Sequence, residues 1–483
     1  MNSKFFILSF TAAAATLASA GVSSEMDGPS GIQIGPRLTL KPYVSLSYTY
    51  DSNVDSMKHS KAGSQWIVNP GMTARYLGGN WDIQGAAWYQ YHAYNRYTTQ
   101  LNQSSFGENL KLNWMNSAPN EKGWRLQLSE QFQQIAQDDD MSNHNGRGIG
   151  RDRKEFKADA ILERRINETM HAALLGNYYL LDYDNNVDKY AWLYGWKRAV
   201  AGGEIGWAPS KWTDFILHAN YQWYTQDNDY DHDLRQTDTR GKSIRSDSKG
   251  YSVMAGLATR ATERITYRVL GGWSRFEYGE GVKDCNGFTY QASAKWAVDD
   301  TLHLMLLAAS YYQPSEREYG NCLKVNTISL GVGKTFIPGK LSATADLSFR
   351  NESHEYSEYE EDDYDETIWT TRVGINYTLN RYAQLFGSVE YQTEETSGGG
   401  ARGHEYDYDR FRGTVGVRLT YSSAEADFEI RIGGAPCLLG GGAALPIPTF
   451  RRLDDCHGRT LAVVVRGDLV GDGAVASCGR DVA

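Results

Sequence analysis

Between Lys41 and Tyr421 apolar and polar residues alternate strictly, in runs about ten residues long, the length a tilted strand needs to cross a bilayer's hydrocarbon layer. Phe411, Gly413, Val415, Val417, Leu419 and Tyr421 fall on one face, with Arg412, Thr414, Gly416, Arg418 and Thr420 on the other. Leu341, Ala343, Ala345, Leu347 and Phe349 alternate in the same way with Ser342, Thr344, Asp346, Ser348 and Arg350. Phe215, Leu217, Ala219, Tyr221 and Trp223 alternate with Asp214, His218, Asn220 and Gln222, and Ile216 is the one apolar intruder. A period of two puts the two sets on opposite faces of a strand. A soluble sandwich would have shorter strands and exposed edges. Charges near strand centres on the polar face predict a wet lumen instead.

Connections alternate in length. Short ones fall near 78–80, 117–123, 167–169, 208–211, 261–263, 298–300, 337–340 and 379–381, and read as periplasmic turns. Long polar ones span 51–64, 94–103, 134–155, 182–189, 227–249, 278–286, 314–325, 352–366 and 394–409, and read as outer loops. Nine loops and eight turns predict an all-β, transmembrane, antiparallel up-and-down β-barrel of about 18 strands, with 16 as the alternative. The stretch 190–207 is the hardest to divide, because Trp192, Tyr194 and Trp196 fit a strand or a loop. Aromatics recur beside the turns, as at Trp66, Tyr76, Trp81, Trp207, Trp212, Trp296, Phe336, Trp369 and Tyr377, in the pattern of two headgroup girdles.

Composition agrees. Tyr 32, Trp 13 and Gly 49 stand against Pro 11 and Cys 5, a strand-forming balance without a disulfide framework. Mean hydropathy of -0.54 excludes a helical membrane protein but not a barrel, whose lumen and loops are polar. A net charge of -10 argues against nucleic acid as a partner. Lys4, the apolar run to Leu17 and Ala18-Ser19-Ala20 read as a secretory signal over residues 1–20. A periplasmic segment (21–40) and the barrel (41–421) follow. From Ser422 to Ala483 the alternation stops and the text turns Gly-, Ala- and Arg-rich. That tail reads either as a periplasmic appendage or partial plug, or as a stretch without selected function, such as a shifted reading frame produces. The second is preferred because no linker, repeat or cap signal marks the change.

The opening strand, Leu40-Lys41-Pro42-Tyr43-Val44-Ser45-Leu46-Ser47-Tyr48-Thr49-Tyr50, runs into Asp51-Ser52-Asn53-Val54. This proline-led start resembles that of the putative β-barrel porins of the second type. The resemblance implies an outer-membrane barrel and an association with exopolysaccharide export, and it brings no catalytic or binding residue. Expected partners are outer-membrane lipid and lipopolysaccharide, the barrel assembly machinery, which would read the aromatic finish at Tyr421, and small solutes or saccharides. The sequence does not set an oligomeric state.

Alternation alone puts Arg75, Arg268, Asp346, Arg350, Arg372, Glu390, Arg412 and Arg418 on the lumen wall. This mixed set predicts weak selectivity with a mild anion bias. The loop holding Asp138, Asp139, Asp140, Arg147, Arg151 and Arg153 has an acidic and a basic half; folded inward it would constrict the pore, and folded outward it is a surface loop. Cys285 and Cys322, in consecutive long loops, are candidates for a disulfide. The run Asp227 to Asp233 imitates half of a calcium loop, then fails where glycine and a bidentate Glu are needed. It and the acidic cluster from Glu355 to Asp365 read as solvated loop tips, with divalent ions bridging such loops to lipopolysaccharide as the alternative; no metal site and no cofactor is predicted. Trp88 and Tyr224 point inward as scattered aromatics. His92, His218 and His303 also point inward, but no nucleophile motif accompanies them, and no enzyme is predicted. The leading expectation is a passive channel. Its alternative is a structural or adhesive surface barrel with a plugged lumen.

Overall fold

The computed structural model describes residues 31–421 apart from 54–61, 96–102, 118–121, 136–152, 184–194, 211, 227–246, 260–263, 279–283, 315–321, 356–363 and 399–406. Residues 1–20, read above as a secretory signal, the Asp227 to Asp233 run and the unit from Ser422 to Ala483 lie outside the described residues.

A short strand, β1 (Ile32–Ile34), folds back on β2 (Leu38–Asp51). The wall continues through β3 (Gly63–Gly78), β4 (Trp81–Tyr94), β5 (Gln103–Met115), β6 (Gly123–Ile135), β7 (Arg153–Arg165), β8 (Met170–Tyr183) and β9 (Trp196–Ser210). It is completed by β10 (Thr213–Gln226), β11 (Ser248–Ala258), β12 (Ile265–Tyr278), β13 (Cys285–Ala297), β14 (Leu302–Pro314), β15 (Cys322–Ile337), β16 (Leu341–Glu355), β17 (Tyr364–Asn380), β18 (Ala383–Gly398) and β19 (Tyr408–Thr420). Each strand pairs antiparallel with the next, and β19 returns to β2 through Val415↔Tyr48 and Val417↔Leu46. The result is a closed barrel of 18 strands plus the extra strand β1. The barrel opens at Leu38 rather than Lys41, because the β1 turn lets β2 begin pairing earlier.

Strands of 11 to 17 residues exceed the span of the hydrocarbon. Their outer ends therefore reach into segments that sequence assigns to loops: Glu352 to Glu355 end β16, Tyr364 to Glu366 open β17, and Cys285 and Cys322 each open a strand. Trp196 likewise begins β9, whereas Trp192 and Tyr194 lie outside the described residues.

The outer surface is apolar by phase. Val44, Leu46, Leu217, Val253, Val269, Leu330, Val373, Ile375 and Val415 are exposed, as is right for side chains that face lipid. Rings crowd the two rims, with Trp81 and Trp114 6.0 Å apart at the turn side and Tyr48 and Trp66 5.1 Å apart at the loop side. At mid-height on this face Glu108 (β5) and Glu130 (β6) are the charged residues among those described, and nothing in the structure accounts for them.

The periplasmic turns reuse one device. Asn167, Asp299 and Asn380 each accept two backbone N–H donors through Oδ1: from Thr169 and Met170, from Thr301 and Leu302, and from Tyr382 and Ala383. Gly79 (φ 54°) and Gly339 (φ 72°) supply the left-handed residue in the tightest turns. The Thr301 hydroxyl and backbone N–H, both 2.6 Å away, hold the Asp299 carboxyl at about 2, below its ordinary 3.8. A carboxyl whose folded pKa is depressed stabilises the fold fully above its unfolded pKa, about 4, and loses that contribution as pH falls toward the folded value. Asp299→Asn should therefore flatten the acid limb of barrel stability below about pH 4, read from urea midpoints across pH. An unchanged acid limb would refute this.

Candidate functional site: the inner wall

The wall candidates share the strand phase opposite the exposed apolar set, and register brings several of them together. Arg75 donates through Nε and Nη2 to Asp82 at 3.1 Å each, a forked pair at the turn end of β3 and β4. Asp346 sits directly across from Arg372, and Arg372 from Glu390, in successive rungs of β16, β17 and β18. Arg372 Nε donates to Glu390 Oε2 at 2.7 Å, and Arg412 Nη1 lies 3.7 Å from Glu390 Oε1. Arg350 pairs with Glu352, and Arg418 lies over the Tyr43 ring, 5.2 Å from its centroid.

The row ends at the seam that closes the ring. Arg410, 1% exposed, donates to both Asp51 oxygens at 2.5 to 3.1 Å, and Arg412 Nε reaches the same carboxylate at 3.3 Å. The Asp51 carboxylate also accepts the Asn53 backbone N–H at 2.9 Å. Asp51 was not singled out in the sequence. Its signal is the Asp-Ser-Asn ending of the opening strand, which makes the turn-like N–H contact.

A second centre forms around Glu204 (β9), 3% exposed. Arg268 (β12) crosses the inner face of β10 and β11 and donates through Nη1 at 3.0 Å and Nη2 at 2.5 Å to its two oxygens. His218 Nδ1 lies 3.3 Å from Oε2, His171 Nε2 4.0 Å from Oε1, and His171 Nδ1 3.6 Å from Asp214. Hydrogen bonds then run along β10, from Asn220 Nδ2 to His218 Nε2 (3.2 Å), from Gln222 to Asn220 (3.0 Å) and from Tyr224 to Gln222 (3.1 Å). Asn177, Arg198, His218, Asn220, Gln222 and Gln291 border a recess in this wall, with Phe276 and Tyr311 beside them.

Tyr224 is not a scattered ring. Tyr179, Trp196, Tyr224, Phe276 and Tyr312 follow one another across the inner wall at centroid separations of 4.5, 5.6, 5.4 and 6.1 Å. They pack with Leu181 and Cys285 into a buried cluster. Inward phase is legible one strand at a time, whereas this row exists only through register across seven strands. Trp88 stands apart from it and packs over Gly107.

Cys285 is disulfide-bonded; Cys322 opens β15, and its side chain lies outside the described residues. Of the constriction-loop candidates, Asp138, Asp139, Asp140, Arg147 and Arg151 lie outside the described residues. Arg153 is the first residue of β7, 3.9 Å from Glu155, which also pairs with Lys157 at 2.7 Å. His92 Nδ1 lies 2.9 Å from Gln65, and His303 is exposed on β14.

A closed barrel with an apolar belt, two aromatic rims and a charged inner wall defines an outer-membrane β-barrel of the channel or transporter type. Residues 211–421 match the family described as Putative beta-barrel porin 2, the family that the opening strand resembles. A comparison with curated proteins gives no match. Among solved structures, the outer membrane protein OpdK from Pseudomonas aeruginosa is similar at 14% identity, with 79% of this chain and 99% of that one covered and a TM-score of 0.39. The outer membrane channel DcaP of Acinetobacter baumannii gives 10%, 81%, 100% and 0.37. The FrpB iron transporter from Neisseria meningitidis gives 8%, 79%, 66% and 0.43.

Removing one partner of a buried ion pair leaves an uncompensated charge, at a cost of about 3–5 kcal/mol. Arg410→Ala should lower barrel stability by about 3 kcal/mol in urea unfolding, and Lys295→Ala, at an inward cation outside any ion pair, by under about 1 kcal/mol. Equal effects would show that the seam is not held by this pair.

Proposed function

We propose that the barrel is a passive, weakly selective channel for small hydrophilic solutes, saccharides among them, and not an enzyme. The observation that carries this reading is a ring of 18 strands whose inner face carries internally paired charges and polar side chains around one aromatic row. Rings of 16 to 18 strands are wide enough to leave an aqueous passage inside their own side chains. Pairing cancels most of the wall's charge, so the field along the lumen is small. Among the described inward cations, Lys111 and Lys295 have no ion-pair partner, which favours anions slightly. The recess beside Arg198, Asn220, Gln222 and Gln291, with Phe276 at its edge, presents amide and guanidinium donors next to an aromatic ring. That combination suits hydroxyl-rich solutes.

Reconstituted into planar bilayers, the folded chain should give discrete conductance steps and a reversal potential near zero in a salt gradient, displaced slightly toward anions. Lys111→Glu with Lys295→Glu should move the reversal potential to the cation side. A silent bilayer with folded protein would refute the channel.

A further inference from the structure

The outer end of the inner wall holds a cluster that the pairing above does not absorb. Glu352 and His354 lie on β16 and Glu366 on β17, all inward, with exposures of 6%, 2% and 1%. Glu352 and Glu366 are direct cross-strand partners. Like charges facing each other on one face destabilise a sheet unless a cation stands between them. Arg350 takes Oε1 of Glu352 and leaves Oε2 turned toward His354. His354 Nε2 lies 3.2 Å from Glu366 Oε2 and 3.5 Å from Glu352 Oε2. The ring is fixed in this direction by stacking on Tyr364, at 4.4 Å and 10°.

From these residues we infer a divalent transition-metal site, with zinc as its simplest occupant, held by His354 Nε2 and one carboxylate oxygen each from Glu352 and Glu366. A tetrahedral ion with bonds of about 2.0–2.2 Å separates its donors by about 3.3–3.6 Å. The two measured edges, 3.2 and 3.5 Å, match that spacing, and all three donor atoms lie within 4.8 Å of one another. A single Nε2 proton, by contrast, makes one good hydrogen bond and leaves the second carboxylate oxygen poorly served. His354 Nδ1 is buried and has no hydrogen-bond partner, so Nε2, between the two carboxylates, is the nitrogen placed to bind. An imidazole beside two carboxylates favours zinc or its first-row neighbours over magnesium or calcium, which take oxygen ligands. Three protein ligands leave a fourth position for water or an anionic group of a solute. The site lies outside the prediction from sequence, which read this stretch as a solvated loop with no metal.

The test is metal binding by the full chain, folded in detergent, with folding of each variant checked by its heat-modifiable gel mobility. Zinc should bind at one equivalent per chain, and a tenfold excess of magnesium should not displace it. His354→Ala and Glu366→Gln should each weaken binding at least tenfold, and His303→Ala should leave it unchanged. His354→Gln replaces the alanine variant if that one fails to fold. Cobalt should give visible ligand-field bands without a thiolate charge-transfer band, because cysteines 437, 456 and 478 in the tail are the competing ligands. Failure of the wild-type chain to bind zinc, equal binding by the variants, or a thiolate band would each overturn the site. Conductance is unaffected by this result, so the channel reading stands or falls separately.

Discussion

The structure depends on closing the hydrogen-bonded ring. In hydrocarbon no water can satisfy a backbone N–H or C=O, so a sheet that crosses the membrane can have no free edge. Eighteen strands meet that condition only when β19 finds β2, whose paired side chains Arg410 and Asp51 lie 359 positions apart in the chain. The register there runs from Arg412↔Asp51 to Thr420↔Tyr43. A slip of β19 by one residue would turn Arg410 and Arg412 toward lipid and bring Phe411 and Val415 into the lumen. Alternation selects the correct face, and the forked Arg410 pair fixes which rung of that face is used.

The strand count and the alternation of loops with turns are legible because two constraints act on every segment. A period of two sets the face, and bilayer thickness sets the minimum length. What sequence misplaces lies where the second constraint ends. Beyond the hydrocarbon, strand and loop share a polar composition, so Glu352, His354 and Glu366 read as a loop although backbone pairing continues through them. Cys285 and Cys322 are displaced for the same reason.

Face is a property of one strand, whereas partnership belongs to several. Arg268 and Glu204 are each readable as inward, but their contact passes over two intervening strands and depends on accumulated register. The aromatic row from Tyr179 to Tyr312 has the same origin. Phase is therefore legible strand by strand, while the centres these residues build do not exist until the ring closes.

Pairing also sets the character of the wall. A lumen lined by isolated charges would bind counterions strongly along its length, and passage requires binding weak enough to release. Here carboxylates such as Asp51, Glu155, Glu204 and Glu390 each answer one or more cations at side-chain distance, and most of these groups are nearly covered. Each such pair offsets part of the wall's local charge. At the outer end two carboxylates face each other across neighbouring strands, with Arg350 beside Glu352 and His354 between the two. Facing carboxylates with an imidazole between them are the arrangement whose charge and donor spacing a divalent cation would complete.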